Sequence, residues 1–139
     1  MESKMELVRT KGSKLGRILV GFAFFMFGVG MFMAEGGPGG VAGFYASLGI
    51  PLAGLVAWLV AILKVVAGIA IMAGKKVTEA SAALVVFVLV ATLLAHMDFS
   101  DPMQMQAALK NLAIVGGLLY LMAYGPGGLD VKTSSNSTM

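Results

Sequence analysis

The chain has 139 residues, of which 58% are hydrophobic and only 12% are charged, and its mean hydropathy is +0.90. A soluble domain carries about 25% charged residues, so this composition excludes an ordinary water-soluble globular protein. The net charge of +3 is small, and the absence of cysteine excludes disulfides, thiolate metal sites and thiol catalysis. The length suits a single all-α membrane domain of four spans with short loops.

The first apolar run covers residues 15–33 and follows a polar, basic segment at residues 1–14. We expect the segment to be a frayed tail and the run to be a membrane-spanning helix. No A-x-A-like cleavage site follows the run, so we expect it to remain as a helix. Arg17 lies one turn inside its start, where its side chain can snorkel to the headgroups. Gly28 allows close approach by another helix.

A long connection at residues 34–51 joins the first span to the second. It begins with a glycine-rich turn, and its apolar residues at 41, 44, 45 and 48 have helical spacing. This spacing predicts a short half-helix at the membrane surface, in the first outer loop. Loops of this length with structure of their own are often functional.

The second span is predicted at residues 52–73, and it carries a single charge, Lys64, near its middle. Small residues share one face of this helix with Lys64, which indicates a helix-packing face and turns the lysine into the bundle. The predicted packing residues of the second span are Gly54, Ala57, Ala61 and Gly68. An ammonium at this depth costs at least about 2.5–3.5 kcal/mol, so something must compensate for it.

The third and fourth spans are predicted at residues 79–96 and 107–124. Thr92 and His96 are four residues apart and therefore share a face of the third span. An acidic loop with Asp98 separates the two spans, and Gly116 offers another packing contact in the fourth. The four-helix domain then ends near residue 128. Residues 129–139, rich in Ser and Thr, are predicted to be a disordered cytoplasmic tail.

The charges predict the topology of the four spans. The loops on one side contain no Lys or Arg, whereas the other side is basic. The basic residues on the N-terminal side are Lys4, Arg9, Lys11, Lys14, Arg17, Lys75, Lys76 and Lys132. By the positive-inside rule, both termini are cytoplasmic.

The chain resembles the DoxX family of small four-helix bacterial and archaeal membrane proteins. The matching stretches are RILVGFAFFMFGVG, GVAGFYASLGIPLAGLVAWLVAILKVVAGIAIMAG, HMDF and KNLAIVGGLLYLMAYGPGGLD. The resemblance implies a four-helix bundle in a prokaryotic cytoplasmic membrane. It also implies, for some members, association with quinone-linked redox enzymes or oxidative-stress complexes. Quinone is the one cofactor that the resemblance suggests.

Two positions depart from the family pattern. The family usually has a glutamate four residues before the glycine that matches Gly68, and this chain has Lys64 there. The family often has a His-Gly pair and then a lysine late in the first helix, where this chain has Phe27, Gly28 and Met31. A function that depends on a lysine–glutamate pair therefore does not transfer directly to this chain.

Three environments can accommodate Lys64. Its side chain can snorkel to backbone carbonyls, Thr92 and water, or be neutral, because burial lowers the pKa of a lysine. A partner subunit can supply a carboxylate, since intramembrane charges usually pair. A ligand that accepts hydrogen bonds, such as a quinone carbonyl, can also occupy the site.

His96 is open to two interpretations as well. It can be a proton relay or quinone contact near the outer surface. It can also cap its helix and bond a neighbour such as Asp98, and one histidine makes no metal site. His96, Asp98 and Asp101 form at most a weak, unspecific cation site. The basic tail is a topology and lipid signal, so no nucleic-acid partner is expected.

No nucleophile–base pair or nucleotide-binding motif occurs in the sequence, and we expect no catalytic residues and no catalysis by the chain alone. The first hypothesis is an accessory or anchoring subunit of a quinone-linked membrane redox assembly. Its predicted ligand or partner contacts are Lys64, Thr92, His96 and Asp98. The alternative is a structural or interaction subunit of a larger complex without a redox role. Expected partners are the lipid bilayer and other membrane subunits, or further copies of this chain. A solute carrier is disfavoured, because no inverted repeat is evident.

Overall fold

The computed structural model describes residues 3–126, and all regular secondary structure in that range is helical. Its helices long and apolar enough to cross a membrane are α1 (Lys4–Met33), α3 (Ala53–Ala73), α4 (Val77–Ala95) and α5 (Pro102–Tyr124). A shorter helix, α2 (Ala42–Ser47), lies in the connection between α1 and α3. The predicted all-α fold with four spans and a short helix in the first loop is confirmed. The predicted tail at residues 129–139 lies outside the described residues.

The N-terminal segment is more ordered than the sequence suggests. Residues 4–12, predicted as part of a frayed tail, continue the first helix through a π-helical turn at Val8–Gly12. The Ser3 hydroxyl accepts a hydrogen bond from Glu6 N at 3.1 Å, which satisfies an amide that a helix start leaves open. The 30 residues of α1 are about 45 Å long, so its basic first turns extend beyond a hydrocarbon core of about 30 Å.

The start of α5 also differs from the prediction. The helix begins at Pro102 and not near residue 107. The Asp101 carboxylate accepts a hydrogen bond from Met103 N at 3.0 Å, and proline suits the first helical position because its missing N–H would have no partner there. This cap holds a polar stretch in the helix that hydropathy assigns to the loop.

Helices α1 and α3 pack backbone against backbone. A Cβ added at Gly21 would lie 2.7 Å from Gly68 O, and one added at Gly28 would lie 2.6 Å from Val65 Cγ2. Ala57 and Ala61 are completely buried on the same side of α3. Small residues at these positions therefore allow the closest helix contact in the fold.

Two of the predicted packing glycines, Gly54 and Gly116, do not lie against a neighbouring helix of the described chain. A Cβ added at Gly54 or Gly116 would meet no other side chain or neighbouring helix within 4 Å. Both share the helical spacing of small residues, but the first turn of α3 and this face of α5 have no neighbouring helix there. Within residues 3–126, neither glycine is a helix-packing contact.

The bundle consists of two hairpins, α1 with α3 and α4 with α5, and it is held together mainly by α3 against α4. A connected core of buried side chains lies where the hairpins meet. It consists of Phe24, Ala67, Ile71, Leu84, Val88, Val115 and Leu118. Cavities remain on either side of this core.

Arg17 is buried, which corrects the expectation that it snorkels to the headgroups. Its side chain is only 6% exposed. Nη1 donates to Pro126 O at 2.7 Å, and Nη2 donates to Met72 O at 3.4 Å. The guanidinium therefore connects α1 to the C-terminal ends of α3 and α5.

We predict that single cysteines will report the topology, because the chain has none of its own. Lys75 and Asp98 are both exposed, in the loops before and after α4. A membrane-impermeant maleimide should label Asp98→Cys in intact cells and Lys75→Cys only after permeabilisation. The reverse pattern would contradict cytoplasmic termini.

We predict that Gly68→Ala destabilises the fold and Gly54→Ala does not. A Cβ at Gly68 would lie 2.6 Å from Phe25 N, so α1 must move away at a cost of about 1–3 kcal/mol. At Gly54 the added methyl group meets no neighbouring helix, and alanine is the better helix former. Unfolding in mild detergent measures both variants, and equal stabilities would contradict the α1–α3 contact.

Candidate functional site

A cavity of about 500 Å³ lies between the hairpins, on the side of the core that faces α2. Its polar lining residues come from α2, α3, α5 and the end of α4. They are Tyr45, Lys64, His96 and Asn111. The rest of the wall is apolar, and four of its residues are phenylalanines: Phe24, Phe27, Phe44 and Phe87. A pocket of this size, apolar with a few polar groups, is typical of a small-molecule site.

Lys64 is half-buried in this cavity, near the middle of α3. Its Nζ lies 3.7 Å from Met31 Sδ on α1 and 5.1 Å from the centre of the Phe87 ring on α4. A thioether is a weak hydrogen-bond acceptor and an aromatic face attracts a cation modestly, so both contacts are favourable but weak. Within residues 3–126, Lys64 forms no ion pair. It retains donor capacity toward the cavity.

Thr92 is buried beside the cavity and connects α4 to α5. Its hydroxyl donates to Val88 O at 2.7 Å and accepts from Asn111 Nδ2 at 2.9 Å. This is the one hydrogen bond that the Asn111 side chain makes within the described range, so its carbonyl oxygen and second amide hydrogen remain available. Thr92 therefore orients Asn111 and does not bond Lys64.

His96 ends α4 and lies at the α2 end of the cavity. Its backbone N–H donates to Thr92 O at 2.9 Å. Its ring Nδ1 is buried and has no hydrogen-bond partner among residues 3–126. A buried imidazole nitrogen without a partner is costly, so this atom favours a ligand or water in the cavity.

Asp98, predicted as a ligand or partner contact, does not line the cavity, so its predicted role can only be that of a partner contact. Its carboxylate accepts hydrogen bonds from the backbone N–H and the hydroxyl of Ser100, and its side chain is exposed. It therefore organises the loop and leaves His96 unpaired. No three His, Asp or Glu side chains come together within residues 3–126, so the weak cation site considered for this loop does not form there.

Helix α2 closes one side of the cavity with Phe44, Tyr45 and Leu48. Its position follows from the preceding turn at Gly37–Val41, in which Pro38 is buried, and from packing of both segments on α3. Burial raises the pKa of the Tyr45 phenol above its usual range. The phenol is therefore uncharged at neutral pH and can donate a hydrogen bond.

Two polar lining residues escaped the sequence reasoning. Asn111 is an amide within the apolar fourth span, and such residues bond across helices or face cavities. The presence of an amide side chain in an apolar span is the feature of the sequence that indicates a polar site there. Tyr45 lies in the half-helix, but the helical spacing of that segment does not indicate that Tyr45 lines the same cavity as Lys64.

The site can hold a flat apolar molecule. Its donors lie at two different depths in the bundle and can each bond a polar atom of that molecule. Aromatic walls supply the apolar contact, and Lys64 and Asn111 supply donors. Several lining side chains, among them Phe27, Val86 and Val90, are also exposed at the bundle surface. The cavity is thus accessible from the surface that faces lipid.

The DoxX family model matches residues 12–97 of the chain. This range includes α2, α3, α4 and most of α1, and with them Tyr45, Lys64 and His96. It ends before α5, so Asn111 and the C-terminal stretch that contributed to the resemblance lie outside it. No curated protein and no solved structure matches the chain.

We predict a measurable coupling between Thr92 and Asn111. Thr92→Val removes the acceptor and Asn111→Leu removes the donor, so the two effects on stability should be non-additive by about 0.6 kcal/mol. Ser81→Ala is the control, because the Ser81 hydroxyl is buried without a partner in the described range. A double-mutant cycle of unfolding in detergent measures the coupling of Thr92→Val with Asn111→Leu, and the cycle of Ser81→Ala with Asn111→Leu is its control. Additive effects for Thr92 and Asn111 would mean that the bond does not join α4 to α5.

Proposed function

Because the chain belongs to the DoxX family, we propose that it is a membrane-embedded, quinone-binding accessory subunit of a redox assembly. The observation that carries the proposal is the cavity between the hairpins, where aromatic side chains line the wall beside a lysine that has no counter-ion among the residues described. A quinone has a flat apolar ring and two hydrogen-bond-accepting oxygens. Both features match what this cavity offers.

The depths of the polar groups suggest how a quinone ring would be held. Lys64 lies against Phe87, and Thr92 follows Phe87 by five residues, or about 7.5 Å along α4. Thr92 holds Asn111, so Lys64 and Asn111 are donors about one ring length apart in depth. We infer that they bond the two carbonyl oxygens of one ring.

His96 is too distant to bond the same ring as Lys64. It follows Phe87 by nine residues, which is about 13 Å along α4. It lies instead where the cavity meets the connection that contains α2, with Tyr45 on the same wall. An imidazole can both donate and accept a hydrogen bond, so we infer that His96 passes protons between the cavity and the aqueous side.

The electron-transfer chemistry belongs to a partner in this proposal. Within residues 3–126 no cluster of three metal-ligating carboxylates and imidazoles is present, and the lining groups bind and orient. We infer that both termini are cytoplasmic in a prokaryotic membrane, as the charges predict. The α2 end of the cavity then faces outward.

A structural or interaction subunit without a redox role is the alternative, and the contacts of Lys64 favour it. Met31 and Phe87 already surround the ammonium group, so the lysine is partly accommodated without a ligand. In that case Lys64 is tolerated, or it awaits a carboxylate of another subunit. Replacing it with an apolar residue would then be neutral or mildly stabilising.

Purification in mild detergent separates the two candidates. Solvent extraction followed by mass spectrometry would detect a co-purifying quinone, and proteomics would detect an associated oxidoreductase. A stoichiometric partner without quinone would support the structural role and contradict the redox role.

We predict that Lys64→Met weakens quinone binding at least about tenfold, because a hydrogen bond to a charged donor is worth about 1.5–3 kcal/mol. Lys110→Met is the matched control, since Lys110 is exposed on α5 and does not line the cavity. Calorimetric titration of the purified variants with a short-chain benzoquinone and a naphthoquinone measures the effect. Equal affinities of both variants and the unmodified protein would contradict the site.

A further inference from the structure

A second cavity of about 280 Å³ lies between α1 and α5, at the opposite end of the bundle from α2. Its wall includes Arg17 and Gly16 on α1, and Gly117, Tyr120 and Tyr124 on α5. The two tyrosine rings stack at 5.7 Å between centroids, and both side chains are largely exposed. We call this space the α1–α5 cleft. It shares no lining residue with the cavity that contains Lys64.

Arg17 gives the α1–α5 cleft a buried positive charge. Its two terminal nitrogens donate to the carbonyls of Pro126 and Met72, which are neutral acceptors. Its Nε–H is buried and has no partner within residues 3–126. No carboxylate in that range pairs with it. A guanidinium that is buried within the protein and has no carboxylate beside it in that range favours an anion nearby.

The position of the cleft indicates the source of that anion. Arg17 lies near the start of the apolar part of α1, and Tyr124 lies in the last turn of α5. Both therefore lie at the depth of the lipid headgroups, where tyrosines are commonly found. The exposed residues Lys14, Lys75 and Lys76 add positive charge at this end of the bundle. Such a surface attracts anionic lipids.

We propose that the α1–α5 cleft binds the phosphodiester headgroup of an anionic phospholipid. Arg17 supplies the buried charge, and the hydroxyls of Tyr120 and Tyr124 donate to the phosphate oxygens. The acyl chains follow the apolar groove between α1 and α5, whose contact is the slightest among the neighbouring spans. The bound lipid adds to the bond from Arg17 to Pro126 O in joining the two hairpins at this end of the bundle. This site is independent of the quinone-binding proposal.

The glycines of the cleft allow a test that leaves the bonds of Arg17 intact. A Cβ added at Gly117 would meet no other side chain or neighbouring helix within 4 Å, and Gly117 lines the cleft, so Gly117→Leu is chosen to fill part of it. Gly116 is its neighbour and has the same open surroundings, but it does not line the cleft. Gly116→Leu is therefore the matched control for helix propensity and added apolar surface.

Native mass spectrometry of delipidated protein measures binding of phosphatidylglycerol and phosphatidylcholine. The unmodified protein and Gly116→Leu should each bind phosphatidylglycerol at least about tenfold more tightly than phosphatidylcholine. This difference corresponds to one charge-assisted hydrogen bond. Gly117→Leu should lower that affinity to the phosphatidylcholine level. The double variant Tyr120→Phe with Tyr124→Phe retains the rings, and it should weaken phosphatidylglycerol binding severalfold even if Gly117→Leu does not fold.

Three results would overturn the proposal. The first is equal affinity of the unmodified protein for the two lipids, and the second is an unchanged lipid preference in both cleft variants. The third is displacement of phosphatidylglycerol by inorganic phosphate at millimolar concentration, because the cleft would then be a site for a free anion and not for a lipid.

Discussion

The close contact between α1 and α3 is the constraint on which the rest of the bundle depends. In lipid, apolar side chains gain little by leaving their surroundings, so helix association relies on close packing. Gly21, Gly28 and Gly68 bring the two backbones together, and this fixes α1 and α3 as one unit. Lys64 lies on that unit, so its direction is set by the glycines and not by its own bonds. The hairpin of α4 and α5 then meets this unit mainly through α3.

The two hairpins meet in a limited core and leave a cavity on each side of it. Each cavity contains one cation, Lys64 in the first and Arg17 in the second. Neither cation pairs with a carboxylate within residues 3–126, although both have weak or neutral acceptors. In a medium of low dielectric constant such groups are costly alone and favourable beside an acceptor. A cation without a carboxylate partner among the described residues therefore supports both proposals, a quinone in the first cavity and an anionic headgroup in the second.

Several features of the candidate site could be read from the sequence. The depth of Lys64 followed from the length of its span, and the position of His96 followed from the end of the third. Asp98 lies outside the cavity, because its carboxylate accepts hydrogen bonds from Ser100, and nearness in sequence to His96 does not reveal this. Asn111 was missed, since its bond to Thr92 joins helices that the sequence does not align. The helical start of α1 depends on a cap at Ser3 that hydropathy does not register.

The sequence by itself determined the number of spans, the C-terminal ends of all four and the short helix in the first loop. Those features depend on apolar length and helical spacing, which are local properties. Only the tertiary structure decided which small residues pack against a neighbouring helix, which groups the Arg17 side chain contacts and which polar groups share a cavity. The difference between Gly68 and Gly54 illustrates the reason: both fit the same helical stripe, but only one faces a neighbouring helix. The C-terminal end of a span depends on the local sequence, whereas the contacts of a side chain depend on how segments distant in sequence pack together.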